Sequence, residues 1–406
     1  MERQVKNFLE IIKYAIHNPE REGLPELMEP VDFHGLTMLA KKHNLYPLFY
    51  EVICRFPEYR NQPDCEQNVY LAMTMLAQQV KKTDAFLNLY RAFLAANLHP
   101  IVMKGIICRQ LYGKYGEYRP SGDEDILVRK EEFFQVKAVL EEMGYECERP
   151  DVTEAQLELL QEVAFYEKES RFLIEVHTNV MGHENELRTR MGDCFQNVFA
   201  NARVCEVSEV PLTTMSHTEH YLFLVLHAFK HFTLNGVGVR QMMDILLYQE
   251  QFGTEIDWEY VETALRENHA AGYLGDLQYI GMTYLGCSLP IRYETCAPEN
   301  LLEDMVEVGV FGKRGEADEL AGRINLNSKE GKQSAIRTWI RAGFPSREFM
   351  INKAPHLREK PWLLPVEWLK RWGRFLKKTK KYDGNLMMDG MKKSRKRMEL
   401  LRKYGL

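Results

Sequence analysis

The pattern of apolar and polar positions changes character along the chain. Over residues 67–96 apolar side chains recur every three or four positions, at Val69, Met73, Leu76, Val80, Leu87, Tyr90 and Leu94. That spacing predicts one amphipathic helix packed on a neighbouring layer. From residue 100 the runs shorten. PIVMKG (100–105) is an apolar run stopped by glycine and reads as a buried strand, and 106–116 has helical spacing and ends in glycine. DILV (125–128) reads as the next strand. Residues 129–144 open with acids, close on glycine and read as a helix. Two β-rich arms flank turn residues near Glu169-Ser170 in 163–180, which predicts a hairpin.

After Leu212 the helical spacing returns. SHTEHYLFLVLHAFKHF opens with Ser216, and Glu219 three residues on completes a capping box. RQMMDILLYQEQ reads as a second helix, 257–301 as further helix, and 309–332 shows no period. The expected organisation is a helical region over 1–97, a small α+β core over 98–212, a second helical region over 213–300, and a C-terminal helical region with a basic tail over 301–406.

Composition adds limits. With 406 residues, 45% hydrophobic and 27% charged, the chain can bury a sizeable core and is not of the disordered class. Eight cysteines occur without a CxxC pair, which argues against a zinc ribbon or a redox motif and suggests reduced, buried thiols. The first residues mix charges into helical spacing and lack a signal-peptide core. The most apolar stretch, 221–229, is too short to span a bilayer. A soluble, cytoplasmic protein is expected.

The net charge of −5 is unevenly spread. Residues 358–406 carry 16 Lys/Arg against 5 Asp/Glu, or +11, so the rest carries −16. In this tail Trp362, Leu369, Trp372 and Leu376 fall on one helical face. Packing on the protein is the favoured expectation, and contact with nucleic acid or a membrane surface is the alternative.

The chemistry concentrates at GDEDILV. Three acids, Asp123, Glu124 and Asp125, abut an apolar run, where like charges repel and acids weaken a strand. In a strand Asp123 and Asp125 share a face, about 6–7 Å apart, and Glu124 points away. Glu175 interrupts the apolar strand FLIEVH, with His177 on its face. If the two strands are neighbours, Asp123, Asp125 and Glu175 converge on one point. Three carboxylates around a pair of Mg²⁺ or Mn²⁺ ions are what two-metal phosphoryl transfer requires. Lys104 and Gly105 stand where a strand turns into a helix, a place where free N–H groups can meet phosphate. Arg119 could add a bidentate grip or pair with Asp123, and Ser121 lies in the same approach to the acids.

His220, His227 and His231 share one helical face, and Lys230 is close by. His227 and His231 have zinc-ligand spacing but no HExxH acid, so nucleotide or acceptor contact and plain packing are the stronger readings. Arg240 and Asp244, four apart, suit an ordinary helical ion pair, and Arg240 also stands as a substrate-side candidate. His177 is a candidate to orient a carboxylate or act as a base.

KG after a strand, then LYGKYGEYRPSGDEDILV, then IEVH, resembles the uncharacterised nucleotidyltransferase family with the polymerase-beta-type fold. HAFKHF with RQMMDILL, and FPSREFM with WLLPVEWLKR, resemble that family's helical part. The resemblance implies a mixed-sheet nucleotidyltransferase core and Mg²⁺-dependent transfer of a nucleoside monophosphate from a triphosphate. Asp123 and Asp125 match the paired aspartates and Glu175 the third carboxylate. Lys104-Gly105 stands where the wider superfamily has Gly-Ser, which is a departure. The acceptor, whether small molecule, glycan or protein, is not implied. Two other readings compete. DED fits a DxD glycosyltransferase, although there the acids normally follow the apolar strand. The third reading is a non-catalytic binder on the same fold.

Overall fold

Seven strands form one mixed sheet in the computed structural model, in the order β3-β4-β5-β2-β1-β7-β6. They are β1 (Ile101–Val102), β2 (Asp123–Leu127), β3 (Tyr145–Cys147), β4 (Glu162–Glu167), β5 (Leu173–His177), β6 (Arg203–Val207) and β7 (Val210–Thr214). The structure describes residues 2–309 except 19, 21–22, 158–159, 171, 183–185, 235 and 290–292. Beyond them it describes 344, 347, 350, 357, 360–370 and 399–405. These residues fall into two units, 1–230 with 238–310, and 231–237 with 311–406. The sheet lies in the first. The second contains a small cluster of Met350 and Leu357 with Leu363, Leu364 and Trp368.

The α+β expectation holds. β2 pairs in parallel with β5 and antiparallel with β1, and the predicted hairpin is the antiparallel pair β4–β5. The acids expected just before the second strand lie inside it. β3 and the hairpin β6–β7 were not expected; β7 pairs in parallel with β1 and so carries the sheet past residue 212. One face of the sheet is apolar. Ile126, Ile174, Val176, Val163 and Phe165 pack there with Phe86, Tyr90 and Phe93 of helix Cys65–Ala95 and with Phe133, Val136 and Leu140 of helix Phe133–Glu142.

The long helix forms where its spacing predicts, but its first half buries a different face. Met73 and Val80 are exposed, whereas Asn68, Ala72, Gln79 and Thr83 are buried. The reason is hydrogen bonding. Gln79 accepts from the Ser121 backbone, Thr83 donates to Glu117, and Asn68 accepts from Lys41. Buried polar groups are tolerated when partnered; the first two hold the loop that leads into β2, and the third ties the helix to helix Phe33–Lys42.

Helix His217–Leu234 starts at the expected cap. The Glu219 backbone donates to Ser216 Oγ, which donates to the Glu219 carboxylate. Helices Val239–Phe252, Trp258–Glu267, Ala271–Ile280 and Pro298–Val308 follow. All eight cysteines are free, yet only Cys108 and Cys287 are buried and Cys296 is exposed, so the expectation of buried thiols holds for two. Among the described residues no helix is long and apolar enough to cross a membrane. In the basic tail Trp362 and Leu369 are exposed, while Trp372 and Leu376 lie outside the described residues, as does most of 309–332.

Candidate active site

The register of β2 against β5 builds the site. Asp123 faces Leu173, Asp125 faces Glu175, and Leu127 faces His177. Register partners in neighbouring strands point to the same side. Asp123, Asp125, Glu175 and His177 therefore share the face opposite the apolar core. Ligand atoms of Asp125, Glu175 and His177 all lie within 4.8 Å of one another. His177 Nε2 is 3.1 Å from Asp125 Oδ1 and 3.8 Å from Glu175 Oε2. Asp123 is more open to solvent than Asp125, which is buried.

Lys104 joins this group from the end of β1. Its Nζ lies 3.1 Å from Asp125 Oδ2 and 3.9 Å from Asp123 Oδ2. Burial works against the ammonium, but Asp125, Asp123 and Glu175 outweigh it and hold Lys104 protonated well above the ordinary lysine range. Burial also opposes the charge on Asp125, and Lys104 and His177 overcome it, so this carboxyl stays ionised below the usual range. Glu175 behaves in the opposite way. Burial, then the charges of Asp125, Asp123 and Glu162, push it up to about 9.

The donor set suits a hard divalent cation. Carboxylate oxygens with one imidazole match Mg²⁺ or Mn²⁺ better than a thiolate-seeking metal. The Asp125 Oδ2 atom is buried, and the Lys104 ammonium, 3.1 Å away, is the charge that faces it. A proton on Glu175 relieves the crowding of the three acids here, and a cation would replace that proton.

Glu124, on the other face, does different work. It is fully buried at the edge of the core. Its carboxylate accepts from the backbone N–H of Ile106 at 2.7 Å, from Arg109 Nη1 at 2.7 Å and from Ser121 Oγ at 3.2 Å. Gly105 permits this approach. Its φ is +60°, and a Cβ there would lie 1.8 Å from Glu124 Oε2. The start of the short helix Ile106–Gln110 thus meets a carboxylate of the protein, where the sequence suggested phosphate.

The other expected phosphate contacts have internal partners as well. Ser121 Oγ accepts from Arg109 at 2.7 Å. Arg119 is buried and donates twice to Asp244, Nε at 2.8 Å and Nη2 at 2.5 Å, with Tyr112 donating to the same carboxylate. The expected Arg240–Asp244 helical pair is therefore replaced, because Arg119 has the better bidentate fit. Arg240 donates to the Pro120 carbonyl. Its pKa is lowered to about 10 by burial and by Arg119, while Asp244 and Asp123 oppose the shift. Arg240 thus lies within electrostatic reach of Asp123.

Sequence reading missed Lys82. It donates to the Ser121 carbonyl at 3.1 Å and lies over the ring of Phe172, beside the start of β5. A lysine on an apparently uniform helix carries no local signal, since only the tertiary fold brings it there. On helix His217–Leu234, His220 is buried against Tyr248 and kept neutral by burial, so the packing reading applies to it. His227 rests on Phe223, Lys230 is buried, and His231 belongs to the second unit. Among the described residues, ligand-type side chains come together at Asp125, Glu175 and His177 and at His17, Glu250 and Cys287; neither group includes His227 or His231.

A family model described as uncharacterised nucleotidyltransferase matches residues 29–275, more than half of the chain. The chain belongs to this nucleotidyltransferase family. The matched span includes the whole sheet and every residue of the acid site. No curated protein and no solved structure matches the chain. As a nucleotidyltransferase-family member it has a nucleotide as the implied substrate, with the acid-bearing face of the β2–β5 pair as the candidate place for it.

Proposed function

We propose that the protein transfers a nucleoside monophosphate from a nucleoside triphosphate to an acceptor hydroxyl, with Mg²⁺ or Mn²⁺ held by Asp123, Asp125 and Glu175. The observation that carries this reading is the direct opposition of Asp125 and Glu175 across parallel strands, in a chain of this family. When bound, the cation would steady the triphosphate and lower the pKa of the acceptor hydroxyl. The acceptor oxygen forms a bond to the α-phosphorus, the bond from that phosphorus to the β-phosphate oxygen breaks, and pyrophosphate leaves.

The hydroxyl proton passes to Glu175. Asp125 is the weaker base, because Lys104 and His177 hold it ionised. His177 orients Asp125 through the 3.1 Å contact. Lys104, with Lys82 and Arg240, meets the phosphates, while Gly105, Ser121 and Arg119 brace the segments on either side of the acids through Glu124 and Asp244. His227 and Lys230 remain acceptor-side candidates. A cytoplasmic location, where triphosphates are supplied, fits this activity.

The test is a thermal-shift panel of the four ribonucleoside triphosphates with and without Mg²⁺ or Mn²⁺. Stabilisation by at least one triphosphate only when the cation is present, and its loss in Asp125→Asn, supports the reading. No shift with any nucleotide, or equal shifts without cation, overturns it.

A further inference from the structure

The two oxygens of Asp125 face different nitrogen groups, the His177 ring and the Lys104 ammonium. Oδ1 lies toward His177 Nε2 at 3.1 Å and belongs to the compact group of Asp125, Glu175 and His177. Oδ2 lies toward Lys104 Nζ at 3.1 Å, and that ammonium also reaches Asp123 at 3.9 Å. The space between two paired aspartates is where a second divalent ion of a metal pair would be shared. Here it holds a lysine.

The backbone fixes this lysine in place. The Met103 N–H donates to the Asp125 carbonyl at 3.0 Å, tying the residue before Lys104 to the strand that carries the aspartates. The Lys104 carbonyl accepts from Ile107 at 3.2 Å. Gly105, immediately after, is held at φ +60° against the Glu124 carboxylate. The side chain thus starts from a rigid turn aimed at the acids.

Charge counting agrees. Three carboxylates are balanced by one ammonium and one divalent cation. A second divalent cation would leave a net charge of about +2 on a site partly shielded from water, which is unfavourable before any phosphate arrives.

From these contacts we infer that Lys104 stands in for the second metal, so that the site takes a single divalent cation, in the group formed by Asp125, Glu175 and His177. Lys104 then meets the triphosphate directly, where a metal-pair enzyme would use an ion. This rests on the metal-dependent reading above, puts His177 in the place that reading gave Asp123 among the ligands, and departs from the metal pair that the acid spacing suggested.

The experiment counts Mn²⁺ retained by the full-length protein in the presence of inorganic triphosphate, after rapid gel filtration, with the paramagnetic resonance spectrum of the same sample. Inorganic triphosphate serves as a probe that does not depend on the base. The wild type should retain one Mn²⁺ with an uncoupled spectrum. Lys104→Ala should retain two, with the spin coupling of ions a few ångströms apart, and Lys104→Arg should return to one. Lys104→Met, which keeps the side-chain volume, serves as the second neutral variant if Lys104→Ala does not fold, and is expected to retain two. Two coupled ions in the wild type, or one in the neutral variant that folds, overturns the lysine substitution and leaves metal-dependent transfer standing. No retained Mn²⁺ in the wild type overturns both.

Discussion

Gly105 and Glu124 are locked against each other: a single added carbon on the glycine would fall 1.8 Å from the glutamate oxygen that accepts the Ile106 N–H. Glu124 cannot swing aside, because Arg109 and Ser121 hold its other oxygen. Gly105→Ala therefore combines a strained backbone with a displaced buried carboxylate. It should destabilise the protein by at least about 2 kcal/mol, measured as a lowered denaturant midpoint at unchanged slope.

Neighbouring acids should give opposite phenotypes. Glu124→Ala leaves the Arg109 guanidinium buried without its partner and should cost roughly 3–5 kcal/mol of stability. Asp125→Asn keeps its volume and faces the cation side, so it should fold while nucleotidyl transfer falls by about 10³-fold or more. Parallel melts and activity assays check both. If Glu124→Ala melts like the wild type, the ion pair is not structural.

The Arg119–Asp244 pair should behave as a buried tie. Asp244→Ala strands a guanidinium and should cost about 3–5 kcal/mol, whereas replacing both partners by apolar residues should recover much of the loss. Urea denaturation of the single and double variants reads this directly. A double variant no more stable than Asp244→Ala would show that the pair also serves a purpose beyond holding Arg119.

Glu175 makes the metal-free protein sensitive to alkali. Its pKa rises from the ordinary 4.5 to about 9 on folding, through burial first and the neighbouring carboxylates next. Between about pH 5 and about pH 9 the folded chain keeps a proton that the unfolded chain has released. Stability therefore falls as pH rises through that window. Asp125, lowered on folding, contributes stability above its unfolded value and is constant over the same window. Glu175→Gln should flatten the slope. Cation affinity should increase with pH, with about one proton released per ion near pH 7. Calorimetry in two buffers of different ionisation enthalpy counts that proton, and a count of zero contradicts the shift.

Much of the site was legible because strand alternation is simple. From DEDILV and FLIEVH alone, the period of two places Asp123 with Asp125, Glu175 with His177, and Glu124 on the opposite side. The same rule could not say what Glu124 would meet. Its partner Arg109 lies on a separate helix, and Asp244, which holds Arg119, is more than a hundred residues away. Strands β3, β6 and β7 were missed because they are short and mix polar residues or proline into their arms. The first half of Cys65–Ala95 misled because its buried face is polar, held by hydrogen bonds that hydrophobic spacing does not register.

The parallel pairing of β2 with β5 has a consequence for biogenesis. Between them the chain must complete two helices, Phe133–Glu142 and Glu154–Leu157, a third strand and the first arm of a hairpin before Glu175 can dock beside Asp125. A slip of one residue would turn Glu175 into the apolar layer and bring Ile174 or Val176 to the acids. A nascent polypeptide is thus chemically silent until this late, long-range closure forms in the correct frame. Dividing the finished chain between those two strands would put Asp125 and Glu175 on separate pieces.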